Sequence, residues 1–401
     1  MKPWLLLTLG LTGMAALTAA PITASLPWDL SHLQQPPQME WIGKEAAHRS
    51  LKFRGLRYQE RETEVFAYYG VPAQAPREGH RFPAMVLVHG GGGRAFPQWV
   101  THWTDQGYAA IAMDLAGRGP GGARLPKGGP DQTHAQKFGT IGAPISDQWS
   151  YHAVANVILA HSLLRSFDEI DRQRTGLTGI SWGGYLTCIV AGLDSRFQFA
   201  MPVYGCGFLR DNSTWKGTEF NKMTPAQSDR WHRLWDPSQY LPHVKIPMVF
   251  LNGTNDFAYP MDSYARSCNL VPSHRYYSIQ LNMRHGHIFD FPEFSYFADH
   301  FLKSASPPLE VMTPEREGNQ ITTWVRGDAS IRSAHLHYTT GPHKDNRTRG
   351  WMSVPLQIHS NRLQGPAPPP TATAWYVEVR DGRNALTSSQ VCLPESAEVS
   401  P

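Results

Sequence analysis

The sequence predicts an α/β protein in which a mostly parallel sheet carries helices on both faces, followed by a small antiparallel β-sandwich. The first observation is an alternation of buried apolar runs with segments of helical spacing between about Leu51 and Leu302. That alternation is typical of parallel strands joined by crossover helices. The second is a change after Lys303, where a Pro-rich linker leads into short stretches that alternate apolar with polar residues. Such stretches, without helical spacing, favour antiparallel strands.

The elements of the α/β region follow from local patterns. Continuous apolar runs that end in glycine or another turn residue indicate strands buried on both faces. The predicted strands span residues 65–71, 82–90, 108–114, 174–180, 197–205, 246–253 and 276–282. Segments of helical spacing, of which the second reads as a long amphipathic helix, span residues 97–107, 148–167, 185–193 and 291–303. Residues 309–396 are predicted to form the sandwich, immunoglobulin-like in general form.

Two long segments interrupt the alternation. Residues 116–139 are rich in glycine and proline, and residues 208–241 form a polar insertion that carries several tryptophans. Long connections in compact domains are usually functional or disordered. Both segments follow the carboxyl ends of predicted strands, which is where open α/β sheets keep their active sites.

The N-terminus has the pattern of a secretory signal peptide. A single positive charge at Lys2 precedes a short apolar run and then a stretch of small residues, as export signals require. Cleavage after Ala20 or near Ala24 fits this pattern, and the mature chain is expected to be periplasmic or extracellular. The signal peptide, the α/β domain, and the linker with the sandwich are predicted at residues 1–24, 25–303 and 304–401, respectively.

Charge and cysteine content disfavour several kinds of partner and site. The chain has 37 Lys and Arg against 33 Asp and Glu, a formal charge of +4. With no dense basic run, no nucleic-acid partner is expected. Beyond the N-terminus no stretch is long and apolar enough to span a bilayer. The four cysteines match neither a disulfide framework nor a zinc pattern. Buried free thiols are expected, with a Cys188–Cys206 bridge as the alternative.

The strongest functional motif is G-x-S-x-G, which reads Gly179-Ile180-Ser181-Trp182-Gly183. It lies after a predicted strand and before a predicted helix. In this context the turn is so tight that the positions two residues from the serine must be nearly free of side chains, and the serine oxygen is pushed out at the top of the sheet. The sequence therefore predicts Ser181 as a nucleophile, in preference to an idle serine in a glycine-rich turn.

A nucleophilic serine needs a base and an acid that orients the base. In this architecture the chain order is serine, acid, histidine. Asp256 lies on the turn that follows the strand at residues 246–253, where the acid is expected. Asp262 and Asp236 are alternatives that lie further from a strand end. The competing interpretation of Asp256 is a turn-forming residue whose side chain bonds its own backbone.

The histidine is expected after the last strand of the sheet, where the stretch MRHGH carries His285 and His287. We favour His285, because it comes shortly after the strand and a small residue, Gly286, follows it. His287 is the alternative base, since a shift of two residues is within the error of a predicted strand end. The other histidine would then be a pocket-wall residue or a supporting hydrogen-bond partner. A metal site is disfavoured because no carboxylate partner lies near in sequence.

The oxyanion formed in the reaction needs two backbone N–H donors. One is expected from Trp182, directly after the nucleophile, and the other from the loop HGGGGR, with Gly91 or Gly92 as the donor. Consecutive glycines let the backbone approach a substrate carbonyl. A phosphate-binding loop is disfavoured, because no Lys-Ser/Thr pair follows and the dinucleotide pattern does not fit. His89 is expected to be structural.

Together these residues resemble the α/β-hydrolase superfamily. The resemblance is carried by VLVHGGGGRAF, GLTGISWGGYL, LNGTNDFAYP and MRHGH, over roughly residues 50–303. Within the superfamily the chain is similar to secreted bacterial acetylxylan-esterase-like and dienelactone-hydrolase-like hydrolases, and the catalytic domain also resembles that of prolyl oligopeptidases. The resemblance implies a serine hydrolase that uses Ser181, Asp256 and a histidine of MRHGH, and that requires no metal or other cofactor.

The expected function is hydrolysis of carboxylic esters, with small acyl groups such as acetyl on a carbohydrate as the substrate class. In the insertion, Trp215, Trp231 and Trp235 are expected to contact that substrate. A prolyl oligopeptidase-type peptidase is the enzymatic alternative. It is disfavoured because only a short segment, too small for a β-propeller, precedes the first strand. A non-catalytic carbohydrate-binding protein on the same fold is the other alternative.

Overall fold

A mixed β-sheet forms the centre of the molecule. The computed structural model describes residues 26–44, 48–74, 79–289, 291–341 and 346–393. The predicted signal peptide, residues 1–24, lies outside these described residues.

Two groups of strands follow one another along the chain. The first group comprises β1 Met39–Lys44, β2 Arg49–Arg54, β3 Glu64–Gly70, β4 Phe82–Val88, β5 Ala109–Met113, β6 Ile170–Ile180, β7 Phe199–Val203, β8 Met248–Gly253 and β9 Arg275–Gln280. The second group comprises β10 Glu310–Val311, β11 Glu315–Glu317, β12 Gln320–Arg326, β13 Ile331–Thr339, β14 Met352–Pro355, β15 Gln357–His359, β16 Arg362–Pro366, β17 Ala374–Asp381 and β18 Leu386–Ser388.

Most of the described α-helices lie between strands of the first group. They are α1 Leu30–Leu33, α2 Pro97–Asp105, α3 Trp149–Leu164, α4 Trp182–Leu193, α5 Leu209–Asn212, α6 Trp215–Thr218, α7 Pro225–Trp235, α8 Met261–Leu270 and α9 Pro292–Lys303. Proline opens α2, α7 and α9, where its missing N–H costs no hydrogen bond. Helix α7 also carries a capping box between Thr224 and Gln227, which fixes its first turn.

The strand order of the large sheet in the described chain is β1-β2-β3-β5-β4-β6-β7-β8-β9-β18-β17-β13-β14. The pairings from β5 to β9 are parallel. The outer strands on both sides pair antiparallel. The predicted fold class, a mostly parallel sheet with helices, is confirmed for the region that carries the motifs.

Most predicted elements are present with shifted ends, and several elements were not predicted. Strands β1 and β2 precede the predicted sheet, and α8 lies between β8 and β9. The sequence of α8, MDSYARSCNL, has too few large apolar residues to give a clear helical pattern. The prediction that residues 148–167 form an amphipathic helix is wrong in one respect. Nearly every side chain of α3 is buried, because the segment around α1 covers it, with Ser162 Oγ donating to Leu33 O at 2.7 Å.

The C-terminal strands form the two layers of the predicted sandwich, and one of these layers is an extension of the main sheet. Strands β10, β12, β16 and β15 make a separate antiparallel sheet, to which β11 is added. The opposing layer, β18-β17-β13-β14, continues the main sheet through the pairing of β18 with β9. A second hydrophobic core lies between the two layers and includes Ile321, Leu336, Leu363 and Val377. The main sheet therefore crosses the predicted domain boundary near residue 304 without interruption.

All four cysteines are free thiols, and Cys188, Cys206 and Cys268 are buried. The Cys188–Cys206 bridge considered from the sequence is absent. Among the described helices, none combines the length and apolar character needed to cross a bilayer.

Candidate active site

Ser181 lies in a strained turn between β6 and α4. Its backbone adopts φ 58° and ψ −116°, a region that non-glycine residues rarely occupy and that costs about 1–3 kcal/mol. The Ser181 N–H donates to Val203 O at 2.9 Å, which ties the turn to β7. A Cβ atom on Gly183 would lie 2.1 Å from the carbonyl oxygen of Val88, and one on Gly179 would lie 2.4 Å from the Gly183 oxygen. The turn therefore requires glycine at both positions of the motif.

Three side chains from distant parts of the chain meet at this turn. Ser181 Oγ lies 2.9 Å from His285 Nε2, and His285 Nδ1 lies 2.6 Å from Asp256 Oδ2. Ser181 follows β6, Asp256 follows β8, and His285 follows β9. Because parallel strands end at the same edge of the sheet, these three loops come together there. The arrangement can carry a proton from the serine oxygen to the imidazole.

Asp256 is fixed by its own turn. Its side chain is inaccessible to solvent, and its Oδ1 accepts the N–H groups of Ala258 and Tyr259, both at 2.8 Å. One oxygen thus binds the backbone and the other faces His285. The turn-forming role and the orienting role, which the sequence presented as competitors, are compatible in one side chain.

The alternative acids have other partners. Asp236 accepts hydrogen bonds from the N–H groups of Phe208, Leu209 and Ser238. Asp262 lies in the first turn of α8, and its carboxylate accepts from the side chain of Asn212. Both carboxylates therefore bind residues of the insertion 208–241, whereas Asp256 binds His285.

His287 contacts the glycine-rich loop instead of the serine. Its Nε2 accepts the N–H of Gly90 at 3.2 Å, and its ring packs against Phe96 with centroids 5.0 Å apart. Partial burial lowers the pKa of His287 to about 4, so the ring stays neutral and can keep accepting that hydrogen bond. The structure therefore favours His285 for the position of the base and makes His287 a support of the loop.

The loop HGGGGR and the N-terminus of α4 border the same cavity. Gly91, Gly92 and Trp182 line it together with Ser181. Trp182 is the first residue of α4, so its N–H has no acceptor within the helix. His89 accepts the Leu115 N–H at 2.9 Å through Nε2, and burial lowers its pKa to about 4. These contacts give His89 the structural position that the sequence predicts.

The cavity has a volume of about 570 Å³. Its wall includes Trp215 from α6 and Phe257, which is 47% exposed and stands 4.7 Å from the His285 ring between centroids. The prediction that Trp231 and Trp235 contact the substrate is wrong. Both are almost fully buried, since α7 turns its apolar face inward to pack on the domain.

The buried tryptophans have structural partners. Trp231 Nε1 donates to Lys137 O at 2.9 Å, and Trp235 Nε1 donates to Gln148 Oε1 at 2.7 Å. Their spacing of four residues places them on one face of α7. That spacing is the signal that could have identified them as core residues.

Several cavity residues were not singled out from the sequence. Gln132, His134 and Lys137 come from the segment 116–139 and line the cavity. None of the three belongs to a motif predicted from the sequence. Tyr204 stacks on the His285 ring with centroids 4.3 Å apart. The unusual length of the segment was the one sequence signal that pointed to this wall. Within the described residues, no group of three or more His, Cys, Asp or Glu side chains is placed to hold a metal ion.

Comparison with known sequences supports the resemblance. Residues 34–218 match the acetyl xylan esterase (AXE1) family, a span of less than half of the chain that includes Ser181 and ends before Asp256. The resemblance to acetyl-xylan-esterase-like hydrolases is thereby confirmed over this span.

Solved structures share the fold at low identity. An acetyl xylan esterase from a Paenibacillus species aligns with a TM-score of 0.55 and 19% identity, covering 69% of this chain and 92% of that one. The acetyl xylan esterase 1 of a Thermoanaerobacterium species gives 0.52 and 16%, covering 70% and 94%. The acylaminoacyl peptidase of Pyrococcus horikoshii gives 0.51 and 19%, covering 66% of this chain and 43% of its own. At these identities the likeness establishes the α/β-hydrolase fold.

Proposed function

We propose that the chain is an exported serine esterase that hydrolyses carboxylic esters, with small acyl groups such as acetyl on a carbohydrate as its substrates. The observation that carries the proposal is the continuous contact from Ser181 Oγ through His285 to Asp256, at 2.9 and 2.6 Å, at the wall of an open cavity. The acetyl xylan esterase family match over residues 34–218 supports the substrate class.

In the proposed reaction, Ser181 Oγ attacks the ester carbonyl while His285 Nε2 takes its proton. The tetrahedral intermediate places its negative oxygen against backbone N–H groups, for which Trp182 and either Gly91 or Gly92 are the candidates. The neighbouring Gly90 N–H already donates to His287. His285 then gives the proton to the leaving alcohol, and the acyl group remains on Ser181. Water attacks this acyl-enzyme while His285 takes its proton, and His285 returns that proton to Ser181 Oγ as the acid leaves.

Asp256 acts on the imidazole. Its carboxylate accepts the Nδ1–H of His285, which leaves Nε2 as the acceptor for the serine proton and stabilises the imidazolium that forms. The backbone bonds from Ala258 and Tyr259 hold that carboxylate in place. Aromatic rings from Trp215 and Phe257 offer apolar surface to the face of a sugar or to an acyl chain.

The test combines covalent labelling with a substrate panel. A fluorophosphonate probe should label the wild-type protein and fail to label Ser181→Ala. Acetylated xylan and short p-nitrophenyl esters should be hydrolysed faster than long-chain esters or peptide amides. Cleavage of amides without acetyl esters would favour the peptidase alternative, and absence of labelling would favour a non-catalytic carbohydrate-binding protein.

Export is tested separately. Mass spectrometry of the protein recovered from the periplasm or medium should show an N-terminus between residues 20 and 25. Recovery of the full-length chain in the cytoplasm would contradict this part of the proposal.

A further inference from the structure

Lys137 places a cation in the wall of the catalytic cavity. It lies in the helical turn Ala135–Gly139 of the segment 116–139 and is 5% exposed. It lines the same cavity as Ser181 and His285. Its ammonium group stands 4.2 Å from the centre of the Trp182 ring and 5.7 Å from that of Trp149. The side chain therefore reaches the neighbourhood of the nucleophile and the proposed oxyanion donors.

Within the described residues, the Lys137 ammonium group has no carboxylate at ion-pair distance. The acids whose charges act on it are Glu219 and Asp131. Glu219 contacts His134 at 3.0 Å, and Asp131 pairs with Arg118 at 2.8 Å. Contacts with aromatic faces compensate only part of the cost of removing an ammonium from water.

The buried ammonium group of Lys137 loses its proton more readily than an exposed lysine does. Burial lowers the pKa of Lys137 to about 7, against the opposing charges of Glu219 and Asp131. Lysines are rarely buried without a partner, and a strongly perturbed group in a cleft is a candidate functional residue. An anion that entered the cavity would restore the charged form and supply the missing partner.

A second polar side chain on the same wall also lacks a partner. The amide oxygen and nitrogen of Gln132 are buried and form no hydrogen bond within the described structure. Gln132 is 7% exposed and lines the cavity with Lys137. Buried polar groups are normally hydrogen-bonded, so the Gln132 amide nitrogen is a donor without an acceptor at this wall. Because the amide is itself buried, it would have to turn toward the cavity to donate to a ligand there.

We infer that Lys137, with Gln132 in the wall of the same cavity, binds a carboxylate on the substrate, so that the preferred ester carries an acidic group close to the scissile bond. The inference rests on the proposed esterase function and narrows its substrate class. The carboxylate has two chemical sources: a uronic acid in the sugar that carries the acyl group, or a dicarboxylic acyl group joined to the sugar through one of its ends. Each source is tested by a matched pair of substrates.

The kinetic experiment compares anionic with neutral esters of similar size. For the acyl source, p-nitrophenyl hydrogen glutarate is compared with p-nitrophenyl pentanoate. For the sugar source, an acetylated methyl glucuronoside is compared with the corresponding acetylated methyl glucoside. In Lys137→Gln, kcat/KM for the anionic member of one pair should fall about 10- to 100-fold, the range for loss of a charge-assisted hydrogen bond. The kcat/KM for the neutral member should change less than about 3-fold. The pair in which the anionic member is affected shows whether the carboxylate belongs to the acyl group or to the sugar.

Control variants separate charge from folding. Lys137→Arg keeps a cation and should retain a substantial part of the preference, whereas Lys137→Met keeps the apolar stem and should lose it. Lys222→Gln removes an exposed lysine of the insertion and should leave both members of each pair unchanged. Circular dichroism and thermal unfolding establish that each variant is folded. Equal losses on anionic and neutral esters, or no loss on either, would overturn the inference.

A binding experiment keeps the inference testable if the protein hydrolyses no ester. Calorimetry with Ser181→Ala should detect glucuronate or glutarate, and the double variant that adds Lys137→Gln should lose that binding by about 10-fold or more. Anion binding without hydrolysis by the wild type would count against the esterase proposal while supporting the carboxylate site. Ester hydrolysis by the wild type, with Lys137→Gln changing neither the binding nor the hydrolysis of anionic compounds, would support the esterase proposal and overturn the carboxylate site.

Discussion

At the scale of single residues, His285 and His287 differ in what their ring nitrogens face. His285 Nε2 lies 2.9 Å from the serine oxygen, whereas His287 Nε2 accepts the Gly90 N–H. His285→Ala should therefore reduce kcat about 10⁴-fold or more, as removal of a triad base does. His287→Ala should cost about 10-fold through the loosened loop. Steady-state kinetics on p-nitrophenyl acetate measures both.

His287→Gln is the matched control, since its side-chain oxygen can accept the Gly90 N–H and should restore part of the loss. Equal and mild losses in the His285 and His287 variants would mean that the base has been assigned to the wrong residue.

His152 makes a separate prediction for stability against pH. It is buried, its Nε2–H donates to Ser146 O at 2.6 Å, and burial lowers its pKa to about 4, with Asp147 opposing the shift. The folded protein thus keeps this ring neutral at a pH where the unfolded chain, with an ordinary pKa near 6.5, takes up a proton. The contribution of His152 to the free energy of unfolding is complete above pH 6.5 and is lost as the pH falls toward 4.

The expected loss from His152 between pH 7.5 and pH 5 is about 2 kcal/mol of unfolding free energy. Urea denaturation at the two pH values measures it. In His152→Gln the decrease over this range should be smaller by about that amount. A variant with the same pH dependence as the wild type would show that the ring titrates normally in the folded state.

At the scale of elements, the junction of β6 with α4 depends on close backbone approach. A Cβ atom on Gly183 would meet the carbonyl oxygen of Val88, which cannot move away as a flexible side chain could. Gly183→Ala should lower the free energy of unfolding by about 3 kcal/mol or prevent folding, because the strand and helix must separate. Thermal unfolding and soluble yield measure the effect.

Gly217 provides the comparison for that substitution. It lies within α6, and a Cβ atom there would meet nothing within 4 Å. Gly217→Ala should be neutral or stabilising by up to about 1 kcal/mol, in line with helix propensity. A Gly183→Ala protein as stable as Gly217→Ala would contradict the packing of this turn.

At the scale of the whole molecule, the C-terminal sandwich and the α/β region share contacts. Strand β18 pairs with β9, and the Leu386 N–H donates to Glu293 of α9 at 2.6 Å. Asn346 Nδ2 donates to the carbonyl oxygen of Asp256 at 3.1 Å. The sandwich therefore covers the edge of the main sheet and supports the loop that carries the proposed catalytic acid.

A chain shortened to residues 25–303 should consequently aggregate or lose most of its activity. Truncation leaves β9 as an uncovered edge strand, which is a template for pairing with other chains. Size-exclusion chromatography and esterase assays measure the outcome. A soluble and fully active monomer would show that the sandwich is an independent appendage.

Asn346→Ala distinguishes the two contributions of the sandwich. It leaves the sheet edge covered and removes the bond to the Asp256 loop, so it should lower kcat several-fold with little change in melting temperature. Loss of stability without a specific effect on kcat would assign Asn346 a purely structural role.

The sequence by itself determined the features that depend on neighbouring residues. Apolar runs and helical spacing located the parallel strands and most crossover helices, because their periods reflect local backbone geometry. The glycines around Ser181 identified the strained turn, and the strand ends placed Asp256 and the two histidines of MRHGH where the acid and the base are expected. These properties are readable because each is settled within a few residues.

The tertiary structure alone decided what depends on distant partners. His285 and Ser181 are separated by 104 positions in the chain, so a shift of two residues between His285 and His287 could be resolved only when the loops were brought together. The burial of Trp231 and Trp235, the continuity of the sheet into the sandwich, and the cation at Lys137 arise from packing between remote segments. Long-range packing sets the burial and the charge environment of each side chain. A local pattern, such as the four-residue spacing of the two tryptophans, indicates one face of a helix but not what that face packs against.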